Sequence, residues 1–149
     1  MVLVHTLEVF PSVDALNEAV GRAFLARLRS LIDEAQGRAR VNLAISGGAV
    51  ATSLLPSLLP RVGQVDWSRV RVWLVDERFV PAGHADRNDD QAWEGFFHAA
   101  SGVELVRMPT SDTSAPGGGC LDAATSAFEA TWTELMGTGS FDVALIGMG

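Results

Sequence analysis

The chain has 149 residues, of which 48% are hydrophobic, with eleven basic against eighteen acidic side chains and a net charge of −7. That is enough apolar material for one domain with a real core, and too much for a disordered chain. An acidic balance excludes a general nucleic-acid binder, which needs a basic face; an anionic ligand would have to find a local cationic pocket.

The opening MVLVHTLEVF has no basic n-region and no long apolar run. It reads as a short strand over Val2 to Val9, not a signal peptide. Ser12 offers an N-cap to a long amphipathic helix carrying Val13, Leu16, Val20, Phe24, Leu28, Leu31 and Ile32 at helical spacing, closed by Gly37. VNLAIS, residues 41–46, is a run of the kind found in buried parallel strands, and Gly47-Gly48 follows it. A second helix begins near Val50 with Leu54, Leu55, Leu58 and Leu59, and Pro56 should kink or divide it. A capped turn over Asp66 to Arg69 leads into the strand VRVWLVD, residues 70–76. Pro81 and Gly83 mark a loop before a helix from Asp86 or Asn88 to Phe97, with Ala92, Trp93, Phe96 and Phe97 as its core face. A weak strand over Glu104 to Val106 precedes a Thr-, Ser-, Gly- and Pro-rich loop over residues 109–119. The last helix carries Leu121, Ala124, Phe128, Trp132 and Leu135, broken by Gly137 and Gly139, and the last strand is DVALI, residues 142–146, ahead of Gly147-Met148-Gly149. The alternation of strand and helix, without repeats, predicts a single α/β domain over residues 1–149, with a mostly parallel sheet and helices on both faces.

No apolar run approaches the roughly 18 residues a membrane helix needs, and the lone Cys120 leaves no intrachain disulfide to form, so a soluble cytoplasmic protein is expected. No residues fall at metal-ligand spacing and no nucleophile elbow is present. His5 and His98 read as structural, and His84 as a solvated loop residue near the candidate site.

Ligands of open parallel sheets bind beyond the carboxyl ends of the strands. Three groups fall there: Ser46-Gly47-Gly48, Asp76-Glu77-Arg78 and Gly147-Met148-Gly149. The Ser-Gly-Gly turn lets the backbone approach an anion at a helix start, though it serves equally as a tight strand-to-helix turn. Arg78 can grip a phosphate bidentately, with Asp76 or Glu77 orienting it or binding a sugar hydroxyl; an internal ion pair that ties the loop down is the equal alternative.

In that order and spacing, LAISGG, VDWSRVRVWLVDERFVP, HADRNDDQAW, VRMPT and FDVALIGMG resemble the 6-phosphogluconolactonases, relatives of the glucosamine-6-phosphate deaminases. The Asp-Glu-Arg at 76 to 78 looks like the lactonase branch. The resemblance covers nearly the whole chain. It implies cofactor-free hydrolysis of 6-phospho-D-glucono-1,5-lactone in the pentose phosphate pathway, with the sugar-phosphate lactone as the small-molecule partner. It makes Asp76 and Arg78 catalytic-site residues, and Ser46, Gly47, Gly48, Glu77, Asn88 and Gly147 substrate-binding ones. Asn88 matches the asparagine of the family's Ser-Asn stretch, here Arg87-Asn88. The sequence departs from the family in two places. Ala49, Val50 and Ala51 stand where the family has Ser/Thr-Thr-Pro-like residues, so hydroxyls that would help hold an anion are missing. The family also continues past Gly-Met-Gly to a Gly-His pair whose histidine is its presumed general base. The expectation is therefore an incomplete domain, a fragment or one half of a split protein, prone to self-associate through an exposed sheet edge. Two alternative functions accompany it: a sugar-phosphate binding fragment without catalysis, and a deaminase-like enzyme.

Overall fold

The computed structural model describes residues 6–112 and 118–148. Four strands form one parallel sheet in the order β3-β2-β1-β4, where β1 is Val41–Ile45, β2 Val70–Leu74, β3 Glu104–Val106 and β4 Val143–Leu145. Both central strands show the same alternation. Val41, Leu43 and Ile45 of β1 and Val70, Val72 and Leu74 of β2 point into one large core, whereas Trp73 points to the other face. A continuous apolar run is what a strand covered on both sides requires.

The large core lies beneath three helices. α1 (Val13–Glu34) starts at Ser12, whose Oγ accepts the N–H of Ala15 at 3.1 Å, and buries Phe24, Leu25, Leu28 and Leu31. It passes close to Leu58 at Gly21, where an added Cβ would overlap the leucine side chain. After β1 the chain makes a widened, π-type turn over Val50–Leu54, in which the N–H of Leu55 reaches back to Val50 O. The short α2 (Leu55–Ser57) and a 3-10 turn over Leu59–Gln64 follow. The expected disturbance at Pro56 thus takes the form of a wide turn just ahead of it and a tight one just after, because the ring cannot donate to the carbonyl one turn back. α3 (Asn88–Gly95) buries Ala92, and Phe96 and Phe97 beyond its end stack edge-on against Trp67. On the opposite face, α4 (Leu121–Leu135) lays Phe128 and Trp132 against Trp73, whose indole N–H donates to Asn42 Oδ1 at 3.0 Å. The architecture is therefore the expected parallel α/β sheet with helices on both faces.

Several local expectations are corrected. The residues of the proposed first strand that are described, 6–9, pair with no strand, and Leu7 and Val9 stand in solvent. Residues 2–5, His5, residues 113–117 of the loop and Gly149 lie outside the described residues. Trp93 does not join the core. It is 38% exposed, with the Arg107 guanidinium 6.0 Å over its ring. An indole on a helix flank can trade core contacts for a cation over its face. Val13, Leu16 and Leu121 keep helical spacing but are exposed, because each sits in the first turns of its helix, beyond the reach of the sheet. No described helix is long and apolar enough to cross a membrane.

Candidate functional site

The chain runs from β1 to β2 to β3 on one side, then returns to place β4 on the free side of β1. Such a reversal opens a crevice at the carboxyl ends of the strands flanking it. The register brings Ile45 beside both Leu74 and Leu145, so the residues that follow these three strands meet. Ser46, Gly47, Gly48, Ala49, Asp76, Arg78, Asn88, Gly147 and Met148 line a crevice of about 180 Å³. Seven of the eight residues singled out in the sequence, all but Glu77, therefore share one wall or floor.

Each is held by a specific contact. Ser46 Oγ accepts the backbone N–H of Gly147 at 2.8 Å, and Ser46 N–H donates to Leu145 O at 3.1 Å, which straps the end of β4 to that of β1. Gly48 turns the chain with φ of 58°, a conformation open to glycine. Its carbonyl accepts from the backbone and hydroxyl of Thr52, the residue directly after Ala51, so the nearest hydroxyl is bonded to the turn itself. No described group accepts from the backbone N–H of Gly47 or Gly48. Gly47 is needed for a different reason from Gly48. The Asn88 amide lies against its α-carbon, where a Cβ would overlap Asn88 Oδ1 and Cγ. Asn88 in turn donates from Nδ2 to Asp76 O at 3.1 Å, bridging the ends of β1 and β2.

The Asp-Glu-Arg turn splits its charges by direction. Asp76 and Arg78 face the crevice, with Arg78 Nη1 to Asp76 Oδ2 at 3.0 Å and both side chains more than half exposed. A pair so exposed adds little stability, and most of the guanidinium's donors remain open to a ligand. Glu77 points the other way, and its side chain is only 2% exposed. Oε1 accepts the N–H of Arg78 and of Asn88, each at 2.8 Å, and Oε2 accepts the N–H of Asp89 at 2.8 Å. Its carboxylate caps the N-terminus of α3, a favourable place for negative charge, and is not offered to the crevice. Glu77, expected among the substrate-binding residues, is placed behind the site because the free amides at the start of α3 draw the middle charge of the three inward.

Sequence reading passed over the inward partner. Arg87 is 1% exposed and Asp89 equally buried. Arg87 Nη2 donates to Asp89 Oδ2 at 2.6 Å and Nε to Asp89 Oδ1 at 3.1 Å. Burial works against the charge on Arg87, but the hydrogen bonds and charges of Asp89, with the charges of Glu77 and Asp90, outweigh it and raise its pKa. Burial likewise opposes ionisation of Asp89, and the Arg87 hydrogen bonds with the charges of Arg87 and Arg107 hold its carboxyl below the ordinary value. The signal was the DRNDD run across the start of α3, which reads equally well as a solvated helix start. His84, 45% exposed and engaged by the Asp86 N–H, is not among the lining residues. Among the described residues, no three His, Cys, Asp or Glu side chains gather as a metal site would require.

The family described as glucosamine-6-phosphate isomerases/6-phosphogluconolactonase matches residues 11–149. The chain is 30% identical over 148 residues to a 6-phosphogluconolactonase of Mycobacterium tuberculosis, covering 97% of this chain and 59% of that protein. It is 32% identical over 143 residues to one of Streptomyces coelicolor, covering 89% and 54%. Among solved structures, a 6-phosphogluconolactonase from Shewanella baltica superposes with a TM-score of 0.72 at 26% identity, covering 94% of this chain and 55% of that one. The chain thus spans a little over half the length of the relatives it matches.

Proposed function

We propose that this chain, which belongs to the glucosamine-6-phosphate isomerase/6-phosphogluconolactonase family, supplies the strand-end crevice of a 6-phosphogluconolactonase, and that residues 1–149 form part of one domain of that enzyme. The reaction is hydrolysis of 6-phospho-D-glucono-1,5-lactone, a step of the pentose phosphate pathway with a cytoplasmic setting. The observation that carries the reading is the convergence of Arg78, Asp76, Asn88 and the Ser46-Gly47-Gly48 turn on one crevice at the switch point of the sheet.

The roles follow from the donors each residue has free. Arg78 takes the phosphate with its open guanidinium donors, and the N–H groups of Gly47 and Gly48 offer further donors to an anion. Asp76 holds Arg78 in place from one side and accepts from a sugar hydroxyl on the other. Water attacks the lactone carbonyl carbon, an oxyanion forms there, and the bond from that carbon to the ring oxygen breaks as the ring oxygen takes up a proton. Donors aimed at the oxyanion lower the barrier because they are oriented before charge develops. The water's proton goes to a base, assigned on the family resemblance to the histidine of the Gly-His pair that follows Gly-Met-Gly in the family.

A second reading has one observation in its favour: no histidine is among the described residues that line the crevice. It is binding of the sugar phosphate without turnover. The test is hydrolysis of freshly prepared 6-phosphogluconolactone by the 149-residue chain against the spontaneous rate at neutral pH, alongside titration with 6-phosphogluconate. Acceleration that disappears in Arg78→Ala supports the lactonase. Saturable binding without acceleration supports the second reading. A folded chain that does neither overturns both, and ammonia release from glucosamine 6-phosphate would assign it to the deaminase side.

A further inference from the structure

We infer that Arg87, with Glu77, is a positioning residue for Arg78, an assignment that rests on the reading of Arg78 as the phosphate-holding group. All five N–H donors of the Arg87 guanidinium find acceptors. Two go to the Asp89 carboxylate, one to Met108 O at 2.8 Å, one to Pro109 O at 3.3 Å and one to Arg78 O at 3.2 Å. A single buried cation thereby joins the start of α3, the chain leaving β3 and the chain leaving β2. Glu77 completes the arrangement from the same turn, accepting the N–H of Arg78 at 2.8 Å while its other oxygen stands 3.8 Å from Arg87 Nε. Both backbone polar groups of Arg78 are thus held by buried charged side chains, its N–H by Glu77 and its C=O by Arg87. The exposed guanidinium is left to move only through its own side-chain torsions.

A buried charge is costly unless fully paired, so stability alone is weak grounds for placing one here. The fork of an arginine is what the site requires. Five acceptors in three directions match its fixed planar donors, whereas a lysine offers three donors from one point. Arg87→Lys keeps the charge opposite Asp89 and gives up the reach to Arg78 O and Pro109 O. The turn that carries Arg78 is then free to drift, and displacement of a ligand-holding group on that scale costs roughly tenfold to a hundredfold in binding.

The experiment has two arms. Without ligand, amide hydrogen exchange compares the full chain with Arg87→Lys. The expected result is loss of protection at Arg78, Asn88 and Asp89 while the amides of β1 and β2 keep theirs. Unchanged protection at those three, or a uniform loss across the sheet, overturns the inference. With ligand, 6-phosphogluconate is titrated into wild type, Arg87→Lys, Arg78→Ala and the double variant. The expected result is weaker binding by Arg87→Lys, at least about tenfold, and a double variant no weaker than Arg78→Ala alone, since Arg87 acts through Arg78. Wild-type affinity in Arg87→Lys, or losses that add, overturns it. Should Arg87→Lys not fold, Glu77→Gln is read by the same criteria. If wild type itself binds no 6-phosphogluconate, the proposed function fails, and the exchange arm still decides whether Arg87 fixes the turn.

Discussion

Replacing Gly47 by alanine tests the closeness of the crevice wall. The backbone of Gly47 is not in the left-handed region, so the new methyl group adds no torsional strain. It meets the Asn88 amide instead, overlapping Oδ1 and Cγ and lying 2.9 Å from Nδ2. An exposed side chain would step aside at small cost. Asn88 is 5% exposed, and its Nδ2 donates to Asp76 O. Moving it breaks that bond, for about 0.5–1.5 kcal/mol, and crowds the neighbouring core, for about 1–3 kcal/mol. Gly47→Ala should therefore destabilise by about 1.5–4.5 kcal/mol. Equilibrium urea unfolding measures this as a fall in midpoint at constant slope. The decisive comparison is the same substitution in an Asn88→Ala background, where the overlapping amide is gone and the added cost should drop below about 1 kcal/mol. A cost under about 0.5 kcal/mol in the wild-type background, or the full cost persisting without the Asn88 amide, would refute the steric account.

The adjacent glycine behaves differently. Gly48→Ala meets nothing within 4 Å but must adopt φ of 58°, so it costs about 1–2 kcal/mol, the same with or without Asn88→Ala, by urea unfolding. Asn42→Ala removes the acceptor of the buried Trp73 indole N–H and costs about 1–3 kcal/mol, seen as a lower urea midpoint. Asp89→Asn removes the counter-charge hydrogen-bonded to the buried Arg87 guanidinium, leaving Glu77 at 3.8 Å, and costs about 3–5 kcal/mol by the same assay. The depressed pKa of Asp89 fixes the sign of a pH effect. A carboxyl whose folded pKa lies below the unfolded one contributes stability that is full above about pH 4 and lost as pH falls through the folded value. Urea midpoints taken down the acid range should fall more steeply in wild type than in Asp89→Asn; parallel profiles would remove Asp89 from the acid response.

Much of the fold was legible because its determinants are local. The runs at 41–45 and 70–74, apolar but for Asn42 and Arg71, call for burial on both faces, and the glycines and charges that follow them mark strand ends. Ser12 and Asp66 signal their caps through hydroxyl and carboxylate oxygens that reach amides two or three residues on. The site was legible in the same way, since the rule that parallel strands gather ligands at their carboxyl ends needs only the positions of those ends. What the sequence left open depends on partners distant along the chain. The direction of each charge in Asp76-Glu77-Arg78 is set by the start of α3, eleven residues beyond Glu77, whose bare amides draw that carboxylate inward. The burial of Arg87 is set by carbonyls at 78, 108 and 109, which only the sheet brings together. The exposure of Trp93 and Leu16 is likewise a matter of what lies opposite, and helical spacing carries no record of that. Local chemistry and periodicity therefore determined most of the elements and the strand-end groups of the crevice, while Asn88 was reached through the family resemblance. Tertiary structure alone decided which charges face solvent and which are consumed in holding the turn, because the energy of a charge depends on the acceptors, donors and water around it.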